Sequence, residues 1–477
     1  MKKIRSERNL FSGKNISFNE SNKSTSLKNI SALLNSCLKS FSNKSLTVKV
    51  LITTSIITAS LVMCFFLSKG VKLWYDNIKD AEITEVVPNN NSVNNSKSSN
   101  HEESIKPFIH KTINTEVNGL KQVINILEVY PNTGKIKIRP TLSHNSLYGF
   151  EFLSEMVERH KAYAGVNGGF FYEYGDPSGM VVIDGNIITA STGKFPVFTI
   201  KEGKAELKEQ ETRLWLKSKN TKTSTKTNPI IDSKMNVEMD TKMEFGGINT
   251  PGKSGTWVLF TRKYGTTNRV NKQNITIIIK DNVVSDIVES NGEMEIPKDG
   301  MLATFIKPVE SIKSAESKKP IGSIANQTNI KYFENEINDI PFEQGDEVEL
   351  VYEPDLGSDG QAYECGSWII KDGKIVIGEH DPWIGVLTNR DPRTAIGIKD
   401  RGEVVLITVD GRQPGYSYGF TGQELGEFLL EYGVKYAAML DGGASTEMIV
   451  DNKIVNRPSF KGTERPLAGA IIIEYIN

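Results

Sequence analysis

The sequence predicts an α+β protein: a mixed β-sheet core with a βαβ unit near the C-terminus and a long β-rich region, preceded by a single transmembrane helix. Three observations carry that expectation. Residues 403–446 hold two apolar runs that each end in Asp-Gly, with a helical pattern between them. Residues 180–352 hold short β-branched runs punctuated by turn dipeptides, and residues 50–67 carry no charge.

In chain order, the first 47 residues carry nine Lys or Arg against two acids, Glu7 and Glu20, in a Ser- and Asn-rich background. Such a composition cannot bury enough apolar surface to fold, so it reads as a disordered basic tail. The uncharged stretch from Val50 to Leu67 is long enough, at 1.5 Å per residue, to cross roughly 27 Å of hydrocarbon. The expected organisation is a cytoplasmic tail over 1–47, a membrane anchor over 48–68, a polar stalk over 69–109 and one folded domain over 110–477. The basic excess before the apolar stretch predicts a single-pass protein of the cell membrane, its N-terminus cytoplasmic and its domain extracytoplasmic.

Across the chain 57 basic and 58 acidic residues leave a net charge of -1, which argues against nucleic acid as a partner. Of Cys37, Cys64 and Cys365 only the last would be extracytoplasmic, so no intrachain disulfide framework is expected and Cys365 reads as a buried small hydrophobe. The five histidines form no ligand-spaced cluster, and no cofactor or metal is assigned.

Within the domain, residues 122–129 and 135–139 read as a hairpin around Asn132-Thr133-Gly134, and 152–160 as a short helix. A short strand then runs into Asn167 and the Gly168-Gly169 pair, whose amides can approach an anion closely. Strands are expected over 180–183, 187–189, 197–200, 257–261, 275–280, 283–288 and 348–352, and the Lys-, Ser- and Thr-rich 217–228 reads as a solvated loop. Near the C-terminus, residues 403–409 run into Asp410-Gly411-Arg412 and 435–440 into Asp441-Gly442-Gly443. Between them Thr421-Gly422-Gln423-Glu424 has the capping-box pattern, and Leu425, Phe428, Leu429 and Tyr432 recur at helical spacing until Gly433. A right-handed crossover would make the two strands parallel and open both Asp-Gly ends on one sheet edge. Arg393 stands just before an apolar strand expected to pair with 404–409, and its planar guanidinium suits bidentate phosphate recognition.

Five motifs occur in one order: Val166-Asn167-Gly168-Gly169-Phe170-Phe171, Pro392-Arg393-Thr394-Ala395-Ile396-Gly397, Asp410-Gly411-Arg412, Thr421-x-x-Glu424-Leu425 and Asp441-Gly442-Gly443-x-Ser445-Thr446. In this the chain resembles the phosphodiester glycosidase family over about residues 115–475. Ala444 stands where family members commonly have glycine, and would strain the loop if that position needs positive φ; Cys365-Gly366 replaces a frequent Gly-Gly. The resemblance implies a hydrolase that cleaves a sugar-1-phosphodiester at the anomeric bond; the single anchor and the Asn- and Lys-rich composition add the expectation that it acts outside the cytoplasm on a phosphorylated glycan of the cell surface or envelope.

On that reading Asp441 and Asp410 are the candidate carboxylates, for activating water or stabilising an oxocarbenium-like centre. Arg393 is the phosphate clamp, helped by Ser445, Thr446 and the amides of Gly442 and Gly443, with Arg465 a further phosphate candidate. Asn167 would bind a sugar hydroxyl, with Gly168, Gly169 and Thr394 beside it, while Arg412 either touches substrate or holds Asp441. Glu424 is explained by its capping position. Two other classes stay open: a non-catalytic module that binds anionic glycan in exopolysaccharide assembly, and a metal-dependent phosphodiesterase that cuts P–O.

Overall fold

The computed structural model describes residues 82–86, 107–219, 222–228, 233–239, 241–252, 254–308 and 340–476. All of them belong to one compact unit, Asp80–Asn477. Its largest sheet has eight strands in the order Glu82–Val86, Phe108–Val117, Leu120–Val129, Val404–Val409, Arg393–Lys399, Val434–Met439, Trp368–Lys371 and Lys374–Ile375. A five-stranded sheet packs beside it, ordered Lys453–Ile454, Met448–Val450, Ala164–Asn167, Gly469–Tyr475 and Ile136–Leu142. Leu127, Ile396, Leu406 and Ala438 of the first meet Val166, Met448 and Ile471 of the second in a common core. The alternation of side chains along a strand leaves Ile449, Ala470 and Ile472 on the opposite face, where Leu153, Met156 and Val157 of the helix Leu153–His160 cover them.

A second core is built from the β-rich middle of the chain. There Ile277, Ile279 and Ala303 pack with Leu214, Leu216, Val182 and Val197. Two-residue turns join several of these strands. Asp281 and Asn282 at φ 50° and 63°, and Asp184 and Gly185 at φ 51° and 70°, supply the left-handed backbone that matches strand twist.

The helix Gly422–Glu431 begins where its sequence signal lies. Thr421 Oγ1 accepts from Glu424 N at 3.1 Å and Glu424 Oε2 accepts from Thr421 N at 3.0 Å. Glu424 Oε1 also accepts from Asn118 Nδ2 at 2.9 Å and from Arg390, which ties the helix start to the large sheet's edge and to the 388–391 loop. Gly426 lets strand Lys374–Ile375 press against the helix, since a Cβ there would lie 2.9 Å from Ile375 Cγ2.

Several expectations are corrected. The class is mostly β rather than α+β: among the described residues only two α-helices occur, and the named strands pair antiparallel throughout, so the sheets are not mixed. The βαβ unit expected over 403–440 is not an adjacent parallel pair. Arg393–Lys399 lies between its two strands and bonds antiparallel to both, because a third apolar strand from earlier in the chain fits the slot that the crossover leaves open. The proposed anchor at 48–68 lies outside the described residues, and among those described no helix is long and apolar enough to cross a membrane.

The hairpin around Asn132 does not form either. Leu120–Val129 pairs with Phe108–Val117 and Val404–Val409, whereas Ile136–Leu142 crosses to the second sheet to pair with Gly469–Tyr475. The expected stalk contains a strand, Glu82–Val86, on the edge of the large sheet, and the expected 217–228 loop is mostly strand, in Arg213–Ser218 and Lys222–Asn228. Local polarity was a poor guide there because edge and exposed strands carry polar residues without losing their ladder.

Removing the helix cap with Thr421→Ala should lower unfolding free energy by about 1 kcal/mol, read as a reduced urea midpoint with an unchanged slope. An unchanged midpoint would show that the cap does not hold this helix.

Candidate functional site

Three strand ends meet at one edge of the large sheet. Arg393 opens its strand opposite Val409, Asp410 follows directly, and on the other flank Leu440 N donates to Thr394 O at 2.9 Å just before Asp441. The second sheet arrives at the same place through Asn167. Its Oδ1 accepts from Thr394 Oγ1 at 2.8 Å and from Glu447 N at 3.2 Å, and its Nδ2 donates to Asp441 O at 2.6 Å and Gly168 O at 3.2 Å. Every donor and acceptor of that buried amide therefore has a protein partner. Asn167 positions the site and has no group left for a sugar hydroxyl, and Thr394, bonded to Asn167 and at 3.3 Å to Thr446 Oγ1, belongs to the same buried network.

The glycines act through closeness rather than as an anion nest. Gly168 N donates to Gly469 O, and a Cβ at Gly168 would lie 2.6 Å from Tyr363 Oη; one at Gly169 would lie 2.7 Å from Glu364 O. On the other strand end Gly443 N donates to Pro392 O at 2.8 Å and Gly442 N reaches the Asp441 carboxyl. The one left-handed residue of that loop is Gly443 at φ 61°. Ala444 does not share that conformation, so its Cβ carries no backbone strain.

The carboxylates and arginines separate by what already holds them. Arg393 is fully buried, with Nε donating to Phe420 O at 2.9 Å and Nη2 to Asn389 O at 2.8 Å. It ties the 388–391 loop to the start of the helix instead of presenting its fork to solvent, which corrects the clamp assignment. Asp410 is also buried and accepts from Asn456 Nδ2 at 3.0 Å, Tyr416 Oη at 3.0 Å and Arg457 N at 2.9 Å. Burial raises its pKa while these three donors lower it. It holds the 456–457 segment against the sheet edge.

Asp441 differs. Its carboxyl is pushed up to about 6, chiefly by burial, with Ser445, the Arg465 charge and Gly442 N opposing the shift. The short turn Gly443–Ser445 beside it is flanked by two guanidinium groups. Arg465 Nη1 donates to Ser445 Oγ at 2.9 Å, and the half-exposed Arg412 donates through Nε to Asp391 Oδ1 at 2.7 Å while its Nη2 would sit 3.2 Å from a Cβ on Gly443. A turn flanked by two cations and adjoining a carboxyl is an arrangement that can hold a phosphate next to a carboxylate of tuned pKa.

Sequence reasoning missed Glu447 and Glu464. Glu447 is buried beside Glu464 and pushed up to about 9, first by burial and then by its acidic neighbour, so Glu447 keeps its proton at neutral pH. Ser154 anchors Glu464 with its N–H at 3.0 Å and its hydroxyl at 2.8 Å. The available signal was Glu447 itself, an acid set directly before the apolar run Met448-Ile449-Val450. Among the described residues no group of three or more His, Cys, Asp or Glu is arranged to hold a metal ion.

Residues 271–474 match the family model described as phosphodiester glycosidase. An uncharacterized SPbeta prophage-derived protein of Bacillus subtilis, YomE, is 35% identical over 114 residues, 24% of this chain and 17% of its own. The N-acetylglucosamine-1-phosphodiester alpha-N-acetylglucosaminidase of Bos taurus is 30% identical over 106 residues, 19% of each chain. The chain thus spans about a fifth or less of the length of these curated relatives. Among solved structures, a hypothetical protein from Synechocystis aligns with TM-score 0.56 at 14% identity, covering 78% of this chain and 62% of that one, which shows a shared fold.

Two substitutions separate holding from acting. Asn167→Ala should cost roughly 2–4 kcal/mol in a denaturant melt, because it strands buried groups on both sheets. Asp441→Asn should leave the melting temperature at pH 7 unchanged or higher, since it removes a charge that the fold disfavours. A large loss of stability in Asp441→Asn would make that carboxyl a structural group.

Proposed function

We propose that this protein, whose residues 271–474 match the phosphodiester glycosidase model, hydrolyses a sugar-1-phosphodiester at the anomeric C–O bond. The observation that carries the reading is the Asp441 carboxyl, raised to about 6, beside a turn flanked by Arg412 and Arg465. A phosphodiester oxygen bound between the two guanidinium groups lets negative charge grow as the C–O bond breaks. Ionised Asp441 takes a proton from water as the water oxygen bonds to the anomeric carbon, and the electron pair of the breaking bond leaves with the phosphate. The products are a free sugar and a phosphomonoester on the acceptor. Asp410, with three donors already on its carboxylate, keeps the 456–457 segment in place.

The matched family and its sugar-phosphodiester relative in Bos taurus support the reaction class. We assign the substrate to the phosphodiester-linked glycans of the cell envelope, met outside the cytoplasm. Each guanidinium has a separate task in this scheme: Arg393 sets the loop, Arg412 and Arg465 meet the phosphate.

The pH dependence follows from two groups. Asp441 must be ionised, so kcat/KM should rise with pH through about 6. Loss of the Glu447 proton above about 9 adds negative charge near Arg465, so kcat/KM should fall there. Stability runs one way: both carboxyls have raised folded pKa values, so their contributions are full below about 4 and decline as pH rises, through about 6 for Asp441 and about 9 for Glu447. Rates measured from pH 4 to 10 should therefore be bell-shaped, with Asp441→Asn reducing turnover by about a thousandfold or more. Wild-type turnover in that variant would remove Asp441 from the chemistry.

A further inference from the structure

The chain leaves the Asn167 junction through Phe170, Phe171 and Tyr172 and returns at Asp176-Pro177 in a short turn, closed by Tyr172 N donating to Asp176 O at 2.9 Å. Tyr172 is 49% exposed, and its ring meets the edge of Trp383 at 5.4 Å between centroids and 65° between planes. Trp383 in turn stacks on buried Phe170 at 5.7 Å. Its loop is pinned by Asp381, whose Oδ1 accepts from Trp383 N at 2.7 Å and Ile384 N at 2.8 Å. Tyr172 is thus an exposed ring on a rigid base. Beside it lies a cavity of about 420 Å³ lined by Tyr172, Asp176, Ser178, Thr192, Asn249 and Thr250 among others.

That volume falls inside the roughly 300–1,000 Å³ span of small-molecule sites. Its chemistry suits a sugar. A ring face takes the C–H face of a pyranose, a carboxylate accepts from hydroxyls, and small hydroxyl side chains complete the wall. An Asp176 carboxylate in the cavity wall repels an anionic unit at this position, so the occupant is neutral.

The order of groups gives the cavity its place relative to the bond that breaks. From Asp441 the path runs to Ser445, to Arg465 bonded to it at 2.9 Å, and to Phe171, whose ring lies 5.9 Å from the Arg465 guanidinium. Tyr172 and the cavity come next. Resting on the reaction proposed above, with the phosphate at Arg465, the cavity is reached from the phosphate through Phe171 and Tyr172, away from the Ser445 and Asp441 contacts. We propose that Tyr172, Asp176 and the adjoining cavity form an acceptor subsite that binds one or two neutral sugar residues on the leaving side of the phosphodiester.

The test uses the full chain and two sugar-1-phosphodiesters that share the cleaved sugar, one with a methyl acceptor and one with a disaccharide acceptor. Tyr172→Ala should raise KM for the disaccharide ester roughly tenfold with kcat unchanged, and leave the methyl ester unaffected. Tyr172→Phe should behave as wild type on both. Equal effects on the two esters, or none on either, would overturn the subsite. Calorimetric binding of the disaccharide phosphomonoester, the product itself, reads the subsite without turnover. Weaker binding to Tyr172→Ala than to wild type supports it even if neither ester is cleaved, a result that would instead defeat the proposed reaction. Equal binding overturns it.

Discussion

One buried amide joins the two sheets that make the site. Asn167 ends a strand of the five-stranded sheet and takes hydrogen bonds from Thr394 on the eight-stranded sheet and from Glu447 N, while giving one to Asp441 O. A carboxamide has two donors and two acceptor lone pairs, and here all four are engaged. An aspartate would lack the donors, and a leucine would take this partner away from Glu447 N and Asp441 O. The separation between Asp441, Glu447 and the start of the Arg393 strand is therefore set by the length of one side chain.

Around that junction burial sorts the ionisable groups by task. Arg393 and Asp410 are deep and satisfied by fixed partners, so they stiffen the loops that carry the exposed groups. Arg412 and Arg465 stay near solvent, where a phosphate can reach them. Between these extremes Asp441 is desolvated enough to be raised to about 6 yet still faces the turn they flank. Glu447, protonated at neutral pH, keeps the negative charge near Arg465 low.

Much of this was legible in residues 403–446. The Asp-Gly ends, the capping box at Thr421 and the convergence of Asp410, Arg393 and Asp441 on one edge follow from local spacing and strand direction. What could not be read was which strand fills the gap between Val404–Val409 and Val434–Met439, because pairing order is a property of the whole sheet. The roles of the arginines failed for a related reason. Arg393 and Arg412 look alike in sequence, and only the position of Phe420 O and Asn389 O makes one of them structural. The Gly-Gly pair read as an anion nest is a clearance for Tyr363, a long-range contact without a local signature. Asn167 was visible as important, but its role as a joint needed partners some 230 and 280 residues away.

All of this predicts where one bond breaks. Hydrolysis of a sugar-1-phosphodiester in water enriched in oxygen-18, followed by mass analysis of both products, reads that bond without reference to rate. Attack on the anomeric carbon beside Asp441 places the heavy oxygen in the freed sugar and none in the phosphomonoester. Heavy oxygen in the phosphate would mean P–O cleavage and would contradict the account.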